Sequence, residues 1–233
     1  SEHRRGVGDH PHRGIETVTY LLTGAVRHRD STGNSGEIGA GDLQWMSAGR
    51  GILHEEMPQV RPEGVAGFQL WVNLPKKQKM SVPRYQNVGA HEIPRIERDG
   101  GTVVRVIAGT VDGVTGPISG IAAEPTYLDV ALAPGGTFTQ PVPPGHSAFA
   151  YLFEGEAHFG ADDGALVTAP KLVVWDDGER VEIRAGDKPA RFLLVSGAPL
   201  NEPIARYGPF VMNTQAEIQQ TLRELQAGTF ASK

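Results

Sequence analysis

The chain of 233 residues contains no cysteine, and this absence removes several classes of site. Disulfide scaffolds, thiolate zinc sites and iron–sulfur clusters all require cysteine, so a metal centre here would have to use nitrogen and oxygen ligands. The lack of cysteine also fits a reducing compartment, and we expect a cytoplasmic protein. No apolar run approaches the ~20 residues of a membrane-spanning helix, and no secretory signal is visible. We therefore expect no membrane partner.

An excess of basic residues is also missing. The net charge is −5; residues 1–115 hold 14 Lys and Arg against 13 Asp and Glu, and residues 116–233 hold 8 against 14. Nucleic-acid-binding surfaces usually show a basic stripe, so we expect no direct contact with nucleic acid. The local cluster of Lys76, Lys77 and Lys79 follows Pro75 and is predicted to lie in a solvated turn.

Signals for long helices are scarce, whereas 30 glycines and 17 prolines indicate short strands joined by tight turns. Short apolar and alternating segments predict strands, and strands this short and evenly spaced favour an antiparallel barrel or sandwich. The predicted strands are 17–22, 42–46, 68–72 and 103–107 in the first half, and 127–132, 148–153, 172–175 and 191–195 in the second.

Two local similarities between the halves indicate an internal duplication. Residues 20–24 read YLLTG and residues 151–155 read YLFEG, while GDLQW at 41–45 compares with KLVVW at 171–175. A boundary between Gly113 and Gly120 explains both, which predicts domains at 1–115 and 116–233. Near the end of the chain, Thr214 and Glu217 have the spacing of a capping box and predict a terminal helix at 214–227.

Two short strings carry most of the chemistry, His10-Pro11-His12 and His54-Glu55-Glu56. Alternate side chains of a strand share one face, so His54 and Glu56 point together while Glu55 points away. If the two strands pair, three imidazoles and one carboxylate converge, a set that suits a first-row transition metal. Two candidates for the carboxylate stay open at this point, Glu16 after the first histidine pair and Glu56.

The longer strings HPHRGIETVTYLLTG, GDLQWMSAGRGILHEEMP, FQLWVNLPKKQKM and GPFVMNT closely resemble the pirin family of bicupins. The resemblance implies an all-β fold of two tandem antiparallel, jelly-roll-like β-barrels with a C-terminal helix. It implies one divalent metal ion, usually Fe²⁺, in the N-terminal barrel. It also implies that a few dozen residues precede the present start, which agrees with the missing initiator methionine. The implied metal ligands are His10, His12, His54 and Glu56.

In that family pattern Glu16 is not a ligand and is expected to orient a histidine or Arg13. The histidines without a partner at ligand spacing are predicted to be exposed or structural: His3, His91, His146 and His158. His28 lies just past the first motif and is a candidate for the mouth of the pocket. The second half carries Gln140-Pro141-Val142 in place of a histidine pair, and no histidine follows Trp175, so it is predicted to bind no metal.

The resemblance also implies an activity, because some pirins resemble quercetin 2,3-dioxygenases. The expected reaction is the cleavage of a flavonol such as quercetin by O₂ with release of carbon monoxide, with Glu56 as the catalytic base. Aromatic and sulfur side chains could line a pocket for such a small aromatic substrate, although about half of them are expected in the core. They are Trp45, Met46, Phe68 and Trp71.

Alternatives to a dioxygenase remain open from the sequence. Other pirins resemble metal-dependent, redox-sensing transcriptional co-regulators or protein-binding modules, which would imply a protein partner. A cupin isomerase or epimerase would use the same ligands without a redox metal. The ligand set itself accepts Mn, Co, Ni, Cu or Zn as well as Fe.

Overall fold

The computed structural model describes residues 6–161 and 164–231, and most of their regular structure is β-strand. The chain divides into two compact units, one of Ser1–Ala90 with Leu200–Lys233 and one of His91–Pro199. These ranges differ from the predicted 1–115 and 116–233. Residues 95–108 pair with later strands, and the terminal helix packs beside strands that return to the first unit. The all-β class and the C-terminal helix are confirmed.

The first unit contains two four-stranded antiparallel sheets, with strand orders β1-β6-β3-β4 and β7-β2-β5-β8. Their strands are β1 (Val7–His12), β2 (Ile15–Thr23), β3 (Val26–Asp30), β4 (Ser35–Ile38), β5 (Leu43–Ser47), β6 (Ile52–Pro58), β7 (Ala66–Asn73) and β8 (Arg84–Val88). Short 3₁₀ segments lie at Lys76–Gln78, Ala90–Glu92 and Asp99–Gly101. The β5 residues Trp45 and Met46 are fully buried, so these two candidate pocket residues belong to the interior packing.

The second unit is built around one eight-stranded antiparallel sheet, in which β16-β15-β18-β13-β10-β9 form the main order. Strand β14 pairs with β18, and β17 pairs with β15. The strands are β9 (Arg95–Arg98), β10 (Thr102–Ala108), β11 (Thr110–Val111), β12 (Val114–Thr115), β13 (Thr126–Leu132), β14 (Thr137–Pro141), β15 (Ser147–Phe159), β16 (Ala165–Thr168), β17 (Lys171–Trp175) and β18 (Arg180–Gly197). Its core is almost wholly apolar and includes Phe138, Leu152 and Phe192.

The similar strings at 20–24 and 151–155 end in glycines with the same backbone conformation. Gly24 has φ 76° and Gly155 has φ 77°, the left-handed region that side chains disfavour. A Cβ on Gly24 would lie 2.2 Å from the carbonyl oxygen of Gly64, and one on Gly155 would lie 1.9 Å from that of Pro189. Both halves therefore need glycine at this turn, because the backbone is left-handed there and because a carbonyl oxygen occupies the space of a Cβ.

The chain ends in β19 (Ala205–Tyr207), β20 (Phe210–Met212) and helix α1 (Gln215–Gln226). The capping box is confirmed: the Thr214 hydroxyl accepts from the backbone N–H of Glu217 at 3.2 Å, and the Glu217 carboxylate accepts from that of Thr214 at 2.8 Å. The apolar face of α1 packs against β20 residues Phe210 and Met212. Within the described ranges, no helix is long and apolar enough to cross a bilayer.

Arg13, which directly follows the histidine pair of β1, joins this strand end to the C-terminal segment. Its buried guanidinium donates to the carbonyl oxygen of Arg50 at 2.5 Å and to that of Phe230 at 3.1 Å. It also donates to the hydroxyl of Thr221 at 3.1 Å and forms an ion pair with Glu224 at 2.7 Å. Residues more than 200 positions apart in sequence are thus held beside the first motif.

Lys79 contradicts the prediction that the lysine cluster is solvated. Lys76 and Lys77 are exposed, but Lys79 is only 1% exposed because the 3₁₀ segment turns it inward. Its ammonium donates to the carbonyl oxygens of Gly14 at 3.0 Å and Val211 at 2.8 Å, and to the Asn73 side chain at 2.7 Å. This buried cation therefore links the loop after β1 to β20.

Replacing Lys79 with Met is expected to lower the free energy of unfolding at pH 7 by roughly 2–4 kcal/mol, since three buried oxygens lose their donor. Burial lowers the pKa of Lys79 from 10.5 to about 8, although nearby Glu202 and Glu217 act in the opposite direction. Between these two pH values the unfolded chain binds more protons than the folded chain, so wild-type stability rises with pH. The methionine variant lacks this contribution, and its deficit should grow from pH 7 to pH 9.5.

Urea denaturation at both pH values measures this difference. The exposed neighbour provides a matched control, because Lys77→Met removes the same charge without burying an unpaired group. A Lys79→Met deficit that stays constant or shrinks between pH 7 and pH 9.5 would contradict the assigned role of Lys79.

Candidate metal centre

The register between β1, β6 and β3 brings the predicted ligands together. His10 lies directly opposite His54 in the β1–β6 ladder, and Asp30 lies opposite His54 on its other side. His12 follows two residues after His10 and therefore shares its face. Strand alternation also sends Glu55 to the other face, where it pairs with Arg29 at 2.5 Å. The predicted convergence of the histidine pair with His54 is confirmed.

One donor nitrogen from each of His10, His12 and His54 lies within 4.8 Å of the other two. The ring centroids are 4.9 Å apart for His10–His12, 4.3 Å for His10–His54 and 5.0 Å for His12–His54. His10 Nδ1 donates to the carbonyl of Gly8 at 2.8 Å, which leaves the lone pair of Nε2 available. The ring nitrogens of His12 and His54 are buried without a hydrogen bond of normal geometry. Since buried polar atoms are normally paired, this cluster fits a metal ion that these nitrogens would ligate.

Burial also keeps two of the rings neutral. Desolvation, followed by the charges of His54 and His10, lowers the pKa of His12 to about 3, while the backbone carbonyl of Pro209 acts in the opposite direction. Desolvation lowers the pKa of His54 to about 4, against the effect of the Glu56 carboxylate. A neutral imidazole is the form that binds metal, so both rings are ready to ligate at pH 7.

Glu56 lies on the same face as His54 but has other partners. Its carboxylate accepts hydrogen bonds from Gln69 Nε2 at 3.1 and 3.0 Å and from the Thr19 hydroxyl at 3.3 Å. Among the residues that the structure describes, the group of mutually close donor atoms comprises the three histidines without Glu56. Coordination by Glu56 therefore stays a prediction.

Glu16 is separated from the histidines. It is 1% exposed and accepts a short hydrogen bond from the hydroxyl of Ser47, its partner in the β2–β5 ladder. Burial raises the pKa of Glu16, while Ser47, Trp45 and the positive charge of Arg84 counteract this rise. Among the described residues, the groups that act on Glu16 are Ser47, Trp45 and Arg84, not a histidine or Arg13, and Arg13 binds the C-terminal segment.

His28 reaches the interior rather than the pocket mouth. It is 5% exposed and lies opposite Glu56 in the β3–β6 ladder. The side-chain amide of Gln44 donates to His28 Nε2 at 3.0 Å and to the side-chain oxygen of Asn87 at 3.0 Å. Burial lowers the pKa of His28, whereas the charges of Asp30 and Glu56 act to raise it. This polar group adjoins the ligand-bearing strand and was not predicted from the motifs.

Asp30 is a second polar residue beside the histidine cluster that motif analysis missed. Its carboxylate accepts from the backbone N–H groups of Thr32 at 2.7 Å and Asn34 at 3.1 Å, which shapes the turn after β3. Desolvation acts to raise the pKa of Asp30, but the nearby Tyr85 hydroxyl and the hydrogen bonds from Thr32 and Asn34 lower it. Its position two residues after His28 was the available sequence signal, because both then face His54 and Glu56.

An apolar cavity of about 330 Å³ opens beside Glu56, at the small end of the range for ligand pockets. Apolar lining residues are Val7, Leu21, Val26, Val65 and Phe68; polar ones are Thr19, Glu56 and Gln69. Trp71 lies beside the three-histidine cluster instead, with its ring centroid 5.4 Å from that of His12. Phe68 and Trp71 thus adjoin the site, while Trp45 and Met46 do not line this cavity.

The remaining histidines vary in environment. His91 is exposed, His158 donates to the carbonyl of Gly164 at 2.8 Å, and His146 is partly buried. His3 lies outside the described residues. At the corresponding motif of the second unit, the Gln140 amide donates to the Thr110 carbonyl at 3.4 Å. That this unit binds no metal stays a prediction.

Comparison with known families adds to this geometry. Residues 1–72 match the family described as Pirin, and residues 127–231 match the Pirin C-terminal cupin domain. Together the two matches span well over half of the sequence. The chain belongs to the pirin family.

Known pirins and a solved enzyme structure extend the match to nearly the whole chain. A pirin-like protein from Solanum lycopersicum is 46% identical over 225 residues, covering 96% of this chain and 76% of the relative. Human pirin is 45% identical over 221 residues, covering 93% and 75%. A crystal structure of a quercetin 2,3-dioxygenase from Acinetobacter baumannii is 38% identical with a TM-score of 0.89, covering 97% of this chain and 80% of that one. The expected cupin-type pirin fold is confirmed.

In this pirin-family protein, His54→Ala is expected to abolish metal retention, because it removes one of the three clustered imidazoles. His146→Ala should leave the metal content unchanged, since His146 belongs to the other compact unit and not to the cluster. Metal per chain is measured by mass spectrometry after loading with Fe²⁺ or Ni²⁺ and desalting. Equal metal content in wild type and His54→Ala would show that the ion binds elsewhere.

Proposed function

We propose that this protein is an iron-dependent dioxygenase that cleaves a flavonol such as quercetin with O₂ and releases carbon monoxide. The observation that carries the proposal is the three-histidine cluster, together with an apolar cavity that Glu56, two residues from His54, helps to line. The quercetin 2,3-dioxygenase named above supports the same reaction class through its similarity in sequence and structure. In the overall reaction, O₂ adds to the flavonol and one molecule of CO leaves, and the product keeps all the remaining atoms.

His10, His12 and His54 would hold the ion, and Glu56 would complete the set when it binds the metal. A bound Fe²⁺ supplies the one-electron chemistry that lets O₂ react with a closed-shell organic substrate. Three imidazoles and one carboxylate would leave positions free on an ion that accepts six ligands, which suits a centre that must admit a substrate. The protein's other task is to bind and orient that substrate.

Glu56 is the group placed to move a proton. Its carboxylate lies in the wall of the cavity, where a substrate hydroxyl could donate its hydrogen to a carboxylate oxygen. The apolar side chains beside it would hold an aromatic ring. Gln69 and Thr19 hold the carboxylate at this position through the hydrogen bonds described above.

One observation favours a second candidate, a metal-dependent regulator that binds a protein partner. Large apolar side chains are exposed on strands β16 and β17 of the second unit, which both pair with β15: Leu166 at 54%, Leu172 at 55% and Val174 at 70%. Exposed apolar groups on one sheet suit a protein contact. The same metal centre would serve this role without any turnover.

The deciding experiment measures carbon monoxide and O₂ uptake when anaerobically iron-loaded protein meets quercetin and air. We expect CO release that is absent from His54→Ala, because the ion is then lost. Glu56→Gln should lower the turnover rate by about 10²–10⁴-fold through loss of the proton acceptor.

Glu55→Gln is the matched control, since it makes the same change on the next residue but on the other face of β6. Its CO release should remain close to that of the wild type. Iron bound in a His54-dependent manner without any CO release would reject the flavonol dioxygenase and favour the regulatory candidate.

A further inference from the structure

Strands β2 and β7 place a pair of donors opposite Glu56. Thr19 and Gln69 face each other in the β2–β7 ladder, which belongs to one sheet, whereas Glu56 belongs to the other sheet of the same unit. Gln69 Nε2 lies 3.1 Å from one carboxylate oxygen of Glu56 and 3.0 Å from the other. The Thr19 hydroxyl donates to the same carboxylate at 3.3 Å and accepts from Gln69 at 3.4 Å.

Backbone pairing fixes this donor pair in place. Gln69 and Trp71 share one face of β7, and Trp71 packs edge-on against His12 with 5.4 Å between ring centroids. The guanidinium of Arg206 covers the Trp71 ring at 5.3 Å. Strand β7 therefore contacts the site at two points. Trp71 contacts His12, a predicted ligand, and Gln69 contacts the carboxylate of Glu56.

The carboxylate thus has two competing partners. It lies two residues from His54 on the same face, which makes it available to an ion held by the three histidines. The Gln69–Thr19 pair engages both of its oxygens and holds it at the wall of the substrate cavity. Hydrogen bonds to a charged acceptor are the stronger class, so this competition carries a measurable energy.

We propose that Gln69, assisted by Thr19, is a positioning residue that draws Glu56 away from the metal ion and holds its carboxylate at the cavity wall, where a remaining lone pair can accept a proton from a substrate hydroxyl. This inference rests on the proposed metal centre and the proposed role of Glu56. It predicts an unusual pair of effects, because removal of the Gln69 amide should strengthen metal binding and weaken turnover at the same time.

The test is the affinity for Ni²⁺, measured by competition with a chelator in full-length protein. Gln69→Leu should bind Ni²⁺ on the order of tenfold more tightly, since Glu56 loses its competing donors. Thr19→Val should shift affinity in the same direction but less. In a Glu56→Gln background the Gln69→Leu substitution should have no effect on affinity, as expected for a coupled pair. Gln219→Leu on the exposed face of α1 is the matched control.

Spectroscopy of the Co²⁺ form provides a second readout, because recruitment of Glu56 changes the visible absorption bands, and CO release by the iron form should fall. An unchanged or weaker Ni²⁺ affinity in Gln69→Leu, with His54-dependent binding intact, would overturn this inference alone. The same holds if Gln69→Leu acts equally in the Glu56→Gln background. Ni²⁺ binding that does not depend on His54 would overturn both the metal centre and this inference.

Discussion

The histidine cluster depends on the register of three neighbouring strands. His10, His54 and Asp30 form one row across β1, β6 and β3, and a slip of one residue would exchange the inner and outer faces. On the outer face the Arg29–Glu55 pair belongs to the same register. A slip would therefore bury Glu55 in place of Glu56 and separate the Arg29–Glu55 pair. It would also move the imidazoles apart, so several contacts favour the same alignment.

The interior of the first unit contains a cluster of histidines with further polar groups, whereas the second unit is built around an extensive apolar core. Around the histidines lie His28, Gln44 and Asn87 in one hydrogen-bonded group, with the Glu56 carboxylate opposite His28. Buried polar groups stabilise a fold only when they are paired. The ring nitrogens of His12 and His54 are among the buried atoms without a hydrogen-bond partner, and an ion would satisfy them. The second unit instead fills its interior with side chains such as Phe138, Leu152 and Phe192.

Long-range anchors connect the first motif to the end of the chain. Arg13 binds groups of α1 and the residues after it, and Lys79 joins the loop after β1 to β20. Both cations are almost fully buried and meet several oxygens, the condition under which a buried charge is tolerated. The C-terminal segment is consequently part of the unit that contains the three-histidine cluster, although the predicted domain boundaries assigned it to the other half.

Local patterns determined much of this protein from the sequence alone. Strand alternation around His10, His12 and His54 indicated the shared face, the spacing of Thr214 and Glu217 indicated the helix cap, and the motif strings indicated the family. These features depend on contacts within a strand, a helix turn or a short string. The partners of Glu16, the burial of Lys79 and the Gln69–Thr19 pair had no comparable local signal.

Those latter features were decided by the tertiary structure, because each depends on which residues distant strands bring opposite one another. Glu16 meets Ser47, Lys79 meets Val211 and Gln69 meets Glu56 across separate strands or loops. The sequence by itself determined which histidines are the candidate ligands and the face they share. Only the packing of the two sheets of the first unit decided which groups surround the ligands, since sheet-to-sheet distances leave no periodic trace in the chain.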